Sequence, residues 1–173
     1  MAGTVYVTYA LAGRSAQAGA TAGMGFVDAY AENGELLDRV VSGGALAAPW
    51  GVTLAPTSFG QFGGDLLVGN FSYADSAINA FNPKTGRYVG TIPINVGPGD
   101  SPGGLWAPDF GVGGDNGSPD TLYFTDGING ETDGLFGAIT IVPELSTWVM
   151  MLAGFAGLGL VAMRRRRSPM TIV

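Results

Sequence analysis

The sequence contains no cysteine and no histidine, and only 13% of its residues are charged. The absence of cysteine excludes disulfide bonds, thiol nucleophiles and thiolate metal ligands. The absence of histidine excludes a Ser-His-Asp triad, an imidazole zinc site and His-ligated haem. Any enzyme chemistry would therefore depend on carboxylates, hydroxyl groups or a hard cation such as calcium.

Basic residues are also scarce over most of the chain. Residues 1–142 carry thirteen acidic and four basic side chains, whereas residues 143–173 carry one acidic and four basic side chains. Phosphate binding needs a clustered basic surface, which an acidic body does not offer. We therefore expect no nucleic-acid partner.

Glycine and proline are abundant, with 30 and 10 residues, while the apolar fraction of 46% is sufficient for a core. This composition favours an all-β fold with many short turns. Ten short runs rich in β-branched and aromatic residues are separated by turn residues, which predicts ten strands. The runs are residues 4–10, 25–31, 35–41, 50–56, 65–71, 77–83, 87–92, 104–110, 121–127 and 134–142.

These runs repeat along the chain. Trp50 and Trp106 are 56 residues apart, and so are the runs 65–71 and 121–127. A period of about 50 residues with four short strands is typical of a β-propeller blade. We therefore predict that residues 1–142 form a partial β-propeller of about two and a half to three blades, with sheets of three, four and three strands. The two tryptophans should pack between neighbouring sheets. A small β-sandwich built from the same strands is the alternative.

The C-terminal segment has a different character. Residues 145–163 contain no charge, and 19 helical residues span about 28 Å, close to the thickness of a bilayer core. This predicts a transmembrane helix at about 145–163, followed by a short cytoplasmic end at 168–173. Four consecutive arginines should hold the C-terminal end inside the cell. They are Arg164, Arg165, Arg166 and Arg167.

Residues 143–167 resemble the PEP-CTERM sorting tail of exported proteins in Gram-negative bacteria that make exopolysaccharide. The segment that carries this resemblance is Pro143, Glu144, Leu145, Ser146, Thr147 and Trp148. Leu145 stands where that family has a second proline. The repeats VVSGGALAAPWGVTLAP and TLYFTDGINGETDGLFGAI also resemble an uncharacterised exported bacterial family of NHL-like β-propellers. Members of that family are about twice this length, so the chain resembles a C-terminal half.

The resemblance implies an exported, membrane-anchored surface module that binds or supports other molecules without catalysis. Its tail would be processed by an exosortase-like enzyme, and its body would face the periplasm or the exterior before transfer to the cell envelope. An export signal is missing after Met1, so we expect a longer parent protein. Exopolysaccharide is an expected partner, bound through exposed tyrosines. Those tyrosines are Tyr73, Tyr88 and Tyr123.

One acidic, glycine-rich stretch is a candidate calcium site, since calcium prefers six to eight oxygen ligands in flexible geometry. Its carboxylates are Asp115, Asp120, Asp126, Glu131 and Asp133. Ordinary turns are the alternative, because aspartate is a common turn residue. A second set, Asn70, Asp75, Asn79 and Asp126, suggests a calcium- and carboxylate-dependent, lactonase-like hydrolase in the full-length parent. A non-functional fragment is the remaining alternative.

Overall fold

The structure is a computed structural model that describes residues 3–141. Ten strands form three small antiparallel sheets, with one short helix, α1 (Arg14–Ala18), between the first two strands. Single turns of 3-10 helix occur at Gly60–Phe62 and Gly114–Asn116. The strands are β1 (Thr4–Tyr9), β2 (Phe26–Ala31), β3 (Leu36–Ser42), β4 (Pro49–Leu54), β5 (Leu66–Asn70), β6 (Ile78–Phe81), β7 (Tyr88–Ile92), β8 (Gly104–Phe110), β9 (Thr121–Ile128) and β10 (Asp133–Thr140).

The predicted strands agree with the observed ones to within two residues at each end. Two turns show why the sequence places them so well. Asn33-Gly34 joins β2 to β3 and Thr85-Gly86 joins β6 to β7, and both glycines adopt positive φ, at 87° and 65°. Glycine reaches this backbone region without steric penalty, so each turn reverses the chain where the pattern indicates.

Strands that follow one another in the chain pair in space. The first sheet has the order β1-β2-β3, the second β4-β5-β6-β7 and the third β10-β9-β8. This is the predicted grouping of three, four and three strands. All pairs within the sheets are antiparallel, as short connections between successive strands require.

The second sheet lies in the middle, because every residue of β5 and β6 is buried. One apolar cluster joins it to the first sheet, through side chains that include Val27, Leu46, Leu66 and Phe81. Another joins it to the third sheet, through side chains that include Phe59, Leu67, Ile78, Leu105, Leu122 and Phe124. In β5, Leu66 and Val68 belong to the first cluster and Leu67 to the second, so successive residues of this strand face opposite sides and the core consists of two apolar layers between three sheets.

The predicted fold class, a partial β-propeller followed by a transmembrane helix, is corrected by the structure. Residues 3–141 are all-β and form three small antiparallel sheets, an arrangement that does not by itself show a propeller. Leu36, Leu37 and Phe136 are 54%, 54% and 69% exposed, so outer positions of the end sheets stay uncovered. A repeat period predicts the unit that repeats, whereas a propeller also requires a particular packing of successive units, which the period does not determine.

Neither α1 nor either 3-10 turn within residues 3–141 has the length or apolar character needed to cross a bilayer. The helix predicted at about 145–163 lies outside the described residues, as do the sorting motif that begins at Pro143, the arginines 164–167 and the end at 168–173.

Candidate functional site

The most unusual polar group in the described structure is the carboxylate of Asp126 on β9. Its neighbours in register are Leu105 on β8 and Leu135 on β10. Directly paired residues of adjacent strands point to the same face, so the carboxylate lies among aliphatic side chains. Asp126 is only 2% exposed.

Neither carboxylate oxygen of Asp126 has a hydrogen-bond partner among the described residues. Burial of the carboxylate, with a further contribution from the charge of Glu131, raises the pKa of Asp126 from 3.8 to about 6. Burial has this effect because it disfavours the charged form of an acid. Buried carboxylates normally accept several hydrogen bonds, so an unpaired one calls for an explanation, such as a bound water, an ion or a functional role.

Glu131 lies in the turn between β9 and β10, close enough to influence Asp126. Its backbone adopts φ 65°, in the left-handed region that residues other than glycine rarely occupy. Arg14 of α1 donates a hydrogen bond to Oε2 of Glu131, while Oε1 is buried without a partner among the described residues. The pKa of Arg14 is raised by a hydrogen bond with Tyr73 and by the charge of Glu131.

Trp106 reaches this region because β8 contains a β-bulge. Leu105 pairs with Asp126 and Ala107 pairs with Thr125, which leaves Trp106 as the extra residue between them. A bulge changes the direction of the side chain it carries. Trp106 is 44% exposed.

Trp50 occupies a similar irregularity in β4, and its ring centroid lies 6.0 Å from that of Trp106 in an edge-to-face arrangement. Phe71 lies 5.2 Å from Trp106. The two repeated tryptophans therefore pack between the second and third sheets, as expected. Their partial exposure, at 40% and 44%, was not expected.

These side chains border a broad, open surface pocket of about 680 Å³. We call it the Asp126 pocket. Its principal side chains are Arg14, Trp106, Asp126, Glu131, Asp133 and Phe136. Three carboxylates and one guanidinium give it a net negative charge when all are ionised. An aromatic surface beside this charge suits a ligand with both an apolar part and hydrogen-bond donors.

The structure brings together part of the predicted calcium set. Asp126, Glu131 and Asp133 share the pocket, whereas Asp115 lines another cavity and Asp120 accepts a hydrogen bond from the Ser58 hydroxyl. Within residues 3–141, no three acidic side chains lie close enough together to hold a metal ion. Calcium binding by the chain stays a prediction.

The second predicted set is also divided. Asn70, Asp75 and Asn79 line one cavity, but Asp126 is not part of it. The Asn70 amide bonds to the backbone of residues 45, 47 and 75, and the Asn79 side chain donates to the Ala45 carbonyl and accepts from Thr91. These amides hold the backbone in place and have little capacity left for a ligand.

The tyrosines expected to bind exopolysaccharide differ in exposure. Tyr88 is 46% exposed, while Tyr73 and Tyr123 are half-buried. Tyr73 contributes to the site only indirectly, through its contact with Arg14. Binding of exopolysaccharide and the expected lack of a nucleic-acid partner both stay predictions.

Three uncharacterised proteins of Acanthamoeba polyphaga mimivirus are similar to this chain. The first is 34% identical over 146 residues, which cover 78% of the chain and 32% of that relative. The second is 33% identical and matches 68% of the chain and 29% of its own length. The third is 29% identical and matches 62% of the chain and 19% of its own length. The chain thus spans about a third or less of each relative.

No model of a known protein family matches the chain. No solved structure matches it either.

These relatives correct the family expectation, because they are viral proteins rather than exported proteins of Gram-negative bacteria. The resemblance to the PEP-CTERM and NHL-like families is therefore wrong as a guide to origin. The expectations derived from it are overturned with it: a membrane-anchored, exosortase-processed function and an inner-membrane location in a bacterium. The sorting tail suggested that origin from a short pattern, whereas the viral similarity extends over most of the chain.

Proposed function

We propose that the chain is a non-enzymatic binding module that holds a small ligand in the Asp126 pocket. The observation that carries this proposal is the buried carboxylate of Asp126, with two oxygens that accept no hydrogen bond from the described residues. An unpaired buried acceptor destabilises a folded protein by about 1–3 kcal/mol. A ligand that donates hydrogen bonds would remove that penalty, which explains why the site exists.

The arrangement around Asp126 favours binding over catalysis. A pair of carboxylates can divide the roles of general acid and general base. Here Arg14 engages one oxygen of Glu131 and both oxygens of Asp126 are buried, so neither carboxylate is placed to exchange a proton with a reacting group. Asp126 lies in a sheet strand between two other strands, a rigid position that suits recognition.

The proposal is tested by screening the full chain, by ligand-observed NMR, against aliphatic amines, sugars, carboxylic acids and aromatic alcohols. We expect one class to bind and its signal to be lost in Asp126→Asn, which keeps the shape of the side chain. The matched control is Asp38→Asn, the same change at an exposed position of β3 outside the pocket. The proposal is contradicted if no class binds in an Asp126-dependent manner.

A further inference from the structure

We infer that the ligand group recognised by the Asp126 pocket is a primary ammonium. This inference rests on the proposed binding function and specifies its chemistry. The key observation is a set of three unpaired oxygens beside one pocket: Oδ1 and Oδ2 of Asp126 and Oε1 of Glu131. A primary ammonium has three N–H donors and no acceptor, so its hydrogen-bonding capacity matches this set.

The charge of the pocket favours a cation. Arg14 contacts Glu131, but no basic side chain among the described residues contacts Asp126. With a pKa of about 6, Asp126 is mostly ionised at neutral pH despite its burial. An ammonium group would supply both the missing donors and the missing countercharge, and charge-assisted hydrogen bonds are stronger than neutral ones.

The aromatic wall adds a second attraction. Trp106 exposes 44% of its surface, and a cation near an indole face is stabilised by the ring's negative quadrupole. Gly127 shows how closely the groups meet: a Cβ placed there would lie 2.8 Å from Cγ of Glu131 and 3.3 Å from Nε1 of Trp106. The absence of a side chain at Gly127 allows Glu131 and Trp106 to approach each other here.

The unpaired oxygens are themselves buried, so a neighbouring side chain must shift before an ammonium can reach them. Arg14 pairs with Glu131, and 67% of the Arg14 side chain is exposed. A shift of Glu131 would be opposed by this ion pair. Arg14 acts as a competing cation, and its removal should make ammonium binding stronger.

Two other ligand classes fit less well. A metal ion would need several carboxylates at one point, and residues 3–141 bring no three acidic side chains together in that way. A sugar offers hydroxyl donors and can stack on Trp106, but it leaves the charge of Asp126 uncompensated. The ammonium can belong to a free alkylamine or to the side chain of a lysine, since both present the same group.

The experiment is calorimetric titration of the full chain at pH 7.5 and low salt with n-butylammonium and with Nα-acetyl-lysine methylamide. Butanol is the neutral control, and glucose and calcium chloride are the competing classes. We expect a dissociation constant on the order of 1 mM for at least one amine and no heat from butanol. The tighter of the two amines identifies the source of the ammonium group, and either result supports the inference.

Two variants make the result specific. Asp126→Asn should weaken amine binding at least about tenfold, because a charge-assisted hydrogen bond is lost. Arg14→Gln should strengthen it roughly threefold, because a competing cation is removed; Arg14 is largely exposed, so the loss of its ion pair should cost little stability. Equal binding of butanol and butylammonium, or weaker binding after Arg14→Gln, overturns the inference.

The outcomes also distinguish a failure of the ammonium assignment from a failure of the proposed binding function. Asp126-dependent binding of glucose or calcium without any amine binding overturns the ammonium assignment and leaves a binding pocket. Absence of Asp126-dependent binding for every class overturns both.

Discussion

Asn70 and Asp126 occupy equivalent positions, near the ends of the 56-residue-spaced strands β5 and β9, yet they have opposite environments. Both are buried, at 1% and 2% exposure. The Asn70 amide makes three hydrogen bonds to backbone groups, and the Asp126 carboxylate makes none within the described residues. The same repeat position therefore holds a side chain that fixes the backbone in one copy and a buried, unpaired carboxylate in the other.

The cause lies in the segment that precedes each sheet. Before β4, the backbone of Ala45 and Ala47 folds against Asn70 and fills its hydrogen-bonding capacity. Before β8, Asp100 and Ser101 bond instead to Asn129 in the turn after β9. This second arrangement leaves the buried Asp126 carboxylate without a backbone donor. The comparison teaches that the preceding segment decides whether the polar side chain at this repeat position is satisfied by the backbone.

The largest effect on stability is expected for Asn70→Asp, which places a carboxylate at the repeat position equivalent to Asp126. Asn70→Asp removes the two N–H groups that bond the carbonyls of Ala45 and Asp75, and it places a carboxylate against them. We expect the free energy of unfolding to fall by about 3 kcal/mol, measured in urea, because two buried acceptors and a buried charge lose compensation. If the free energy of unfolding decreases by less than about 1 kcal/mol, the Asn70 hydrogen bonds do not hold this backbone segment in place.

The next effect concerns Asp28, a buried carboxylate that does have a partner. Arg39 donates to both of its oxygens, at 2.8 Å and 3.2 Å, and lies over the ring of Phe26. Arg39→Met keeps the packing and removes the donors. We expect destabilisation of about 2 kcal/mol, below the value for a fully buried pair because Arg39 is half-exposed. The double variant Asp28→Asn, Arg39→Met should recover part of this loss; no recovery would contradict the pairing.

A smaller effect, of opposite sign, is expected for Asp126→Asn. Because the pKa of Asp126 is raised in the folded state, the wild-type chain loses stability through this group as pH rises from about 4 to about 6. Asp126→Asn does not lose stability in this way, because asparagine does not titrate. Its stability advantage should therefore grow between pH 4 and 6 and stay constant above, at about 1 kcal/mol once screening by solvent is allowed for.

Urea titrations of wild type, Asp126→Asn and the exposed control Asp38→Asn across this pH range measure the advantage. An advantage that is absent at pH 7, or that already exists in full at pH 4, would contradict the account of Asp126.

The smallest effect separates two glycines that face each other across β9 and β10. Gly127 and Gly134 are paired in register, but a Cβ on Gly127 would crowd Glu131 while a Cβ on Gly134 would meet nothing within 4 Å. Gly127→Ala should destabilise by about 1 kcal/mol and Gly134→Ala by less than about 0.5 kcal/mol. Equal thermal shifts for the two variants would mean that Glu131 does not lie where the pocket requires it.

Local chemistry made much of this fold predictable. The strands and their grouping follow from alternating apolar runs and from turns such as Asn33-Gly34, which act over a few residues. The pocket depends on contacts between residues that are far apart in the chain. Arg14 and Glu131 are 117 residues apart, and no local pattern indicates their contact. The strand-like run at residues 104–110 does not indicate that β8 contains a bulge at Trp106.

The candidate residues were predicted in part. Asp126, Glu131 and Asp133 stood out as carboxylates in a glycine-rich stretch, and the structure places all three at one pocket. Sequence could not show that Asp126 is buried without a partner, since burial depends on Leu105 and Leu135 from neighbouring strands. The propeller architecture and the origin were inferred from a repeat period and a tail motif, neither of which reports contacts between distant parts of the chain.

The most direct test of the central claim is an NMR titration of the Asp126 carboxyl carbon in the full chain, with and without n-butylammonium. The account predicts a pKa of about 6 in the free protein and a lower value with the amine bound, because a bound cation favours the charged form. A free-state pKa near the ordinary 3.8, unchanged by the amine, would contradict it.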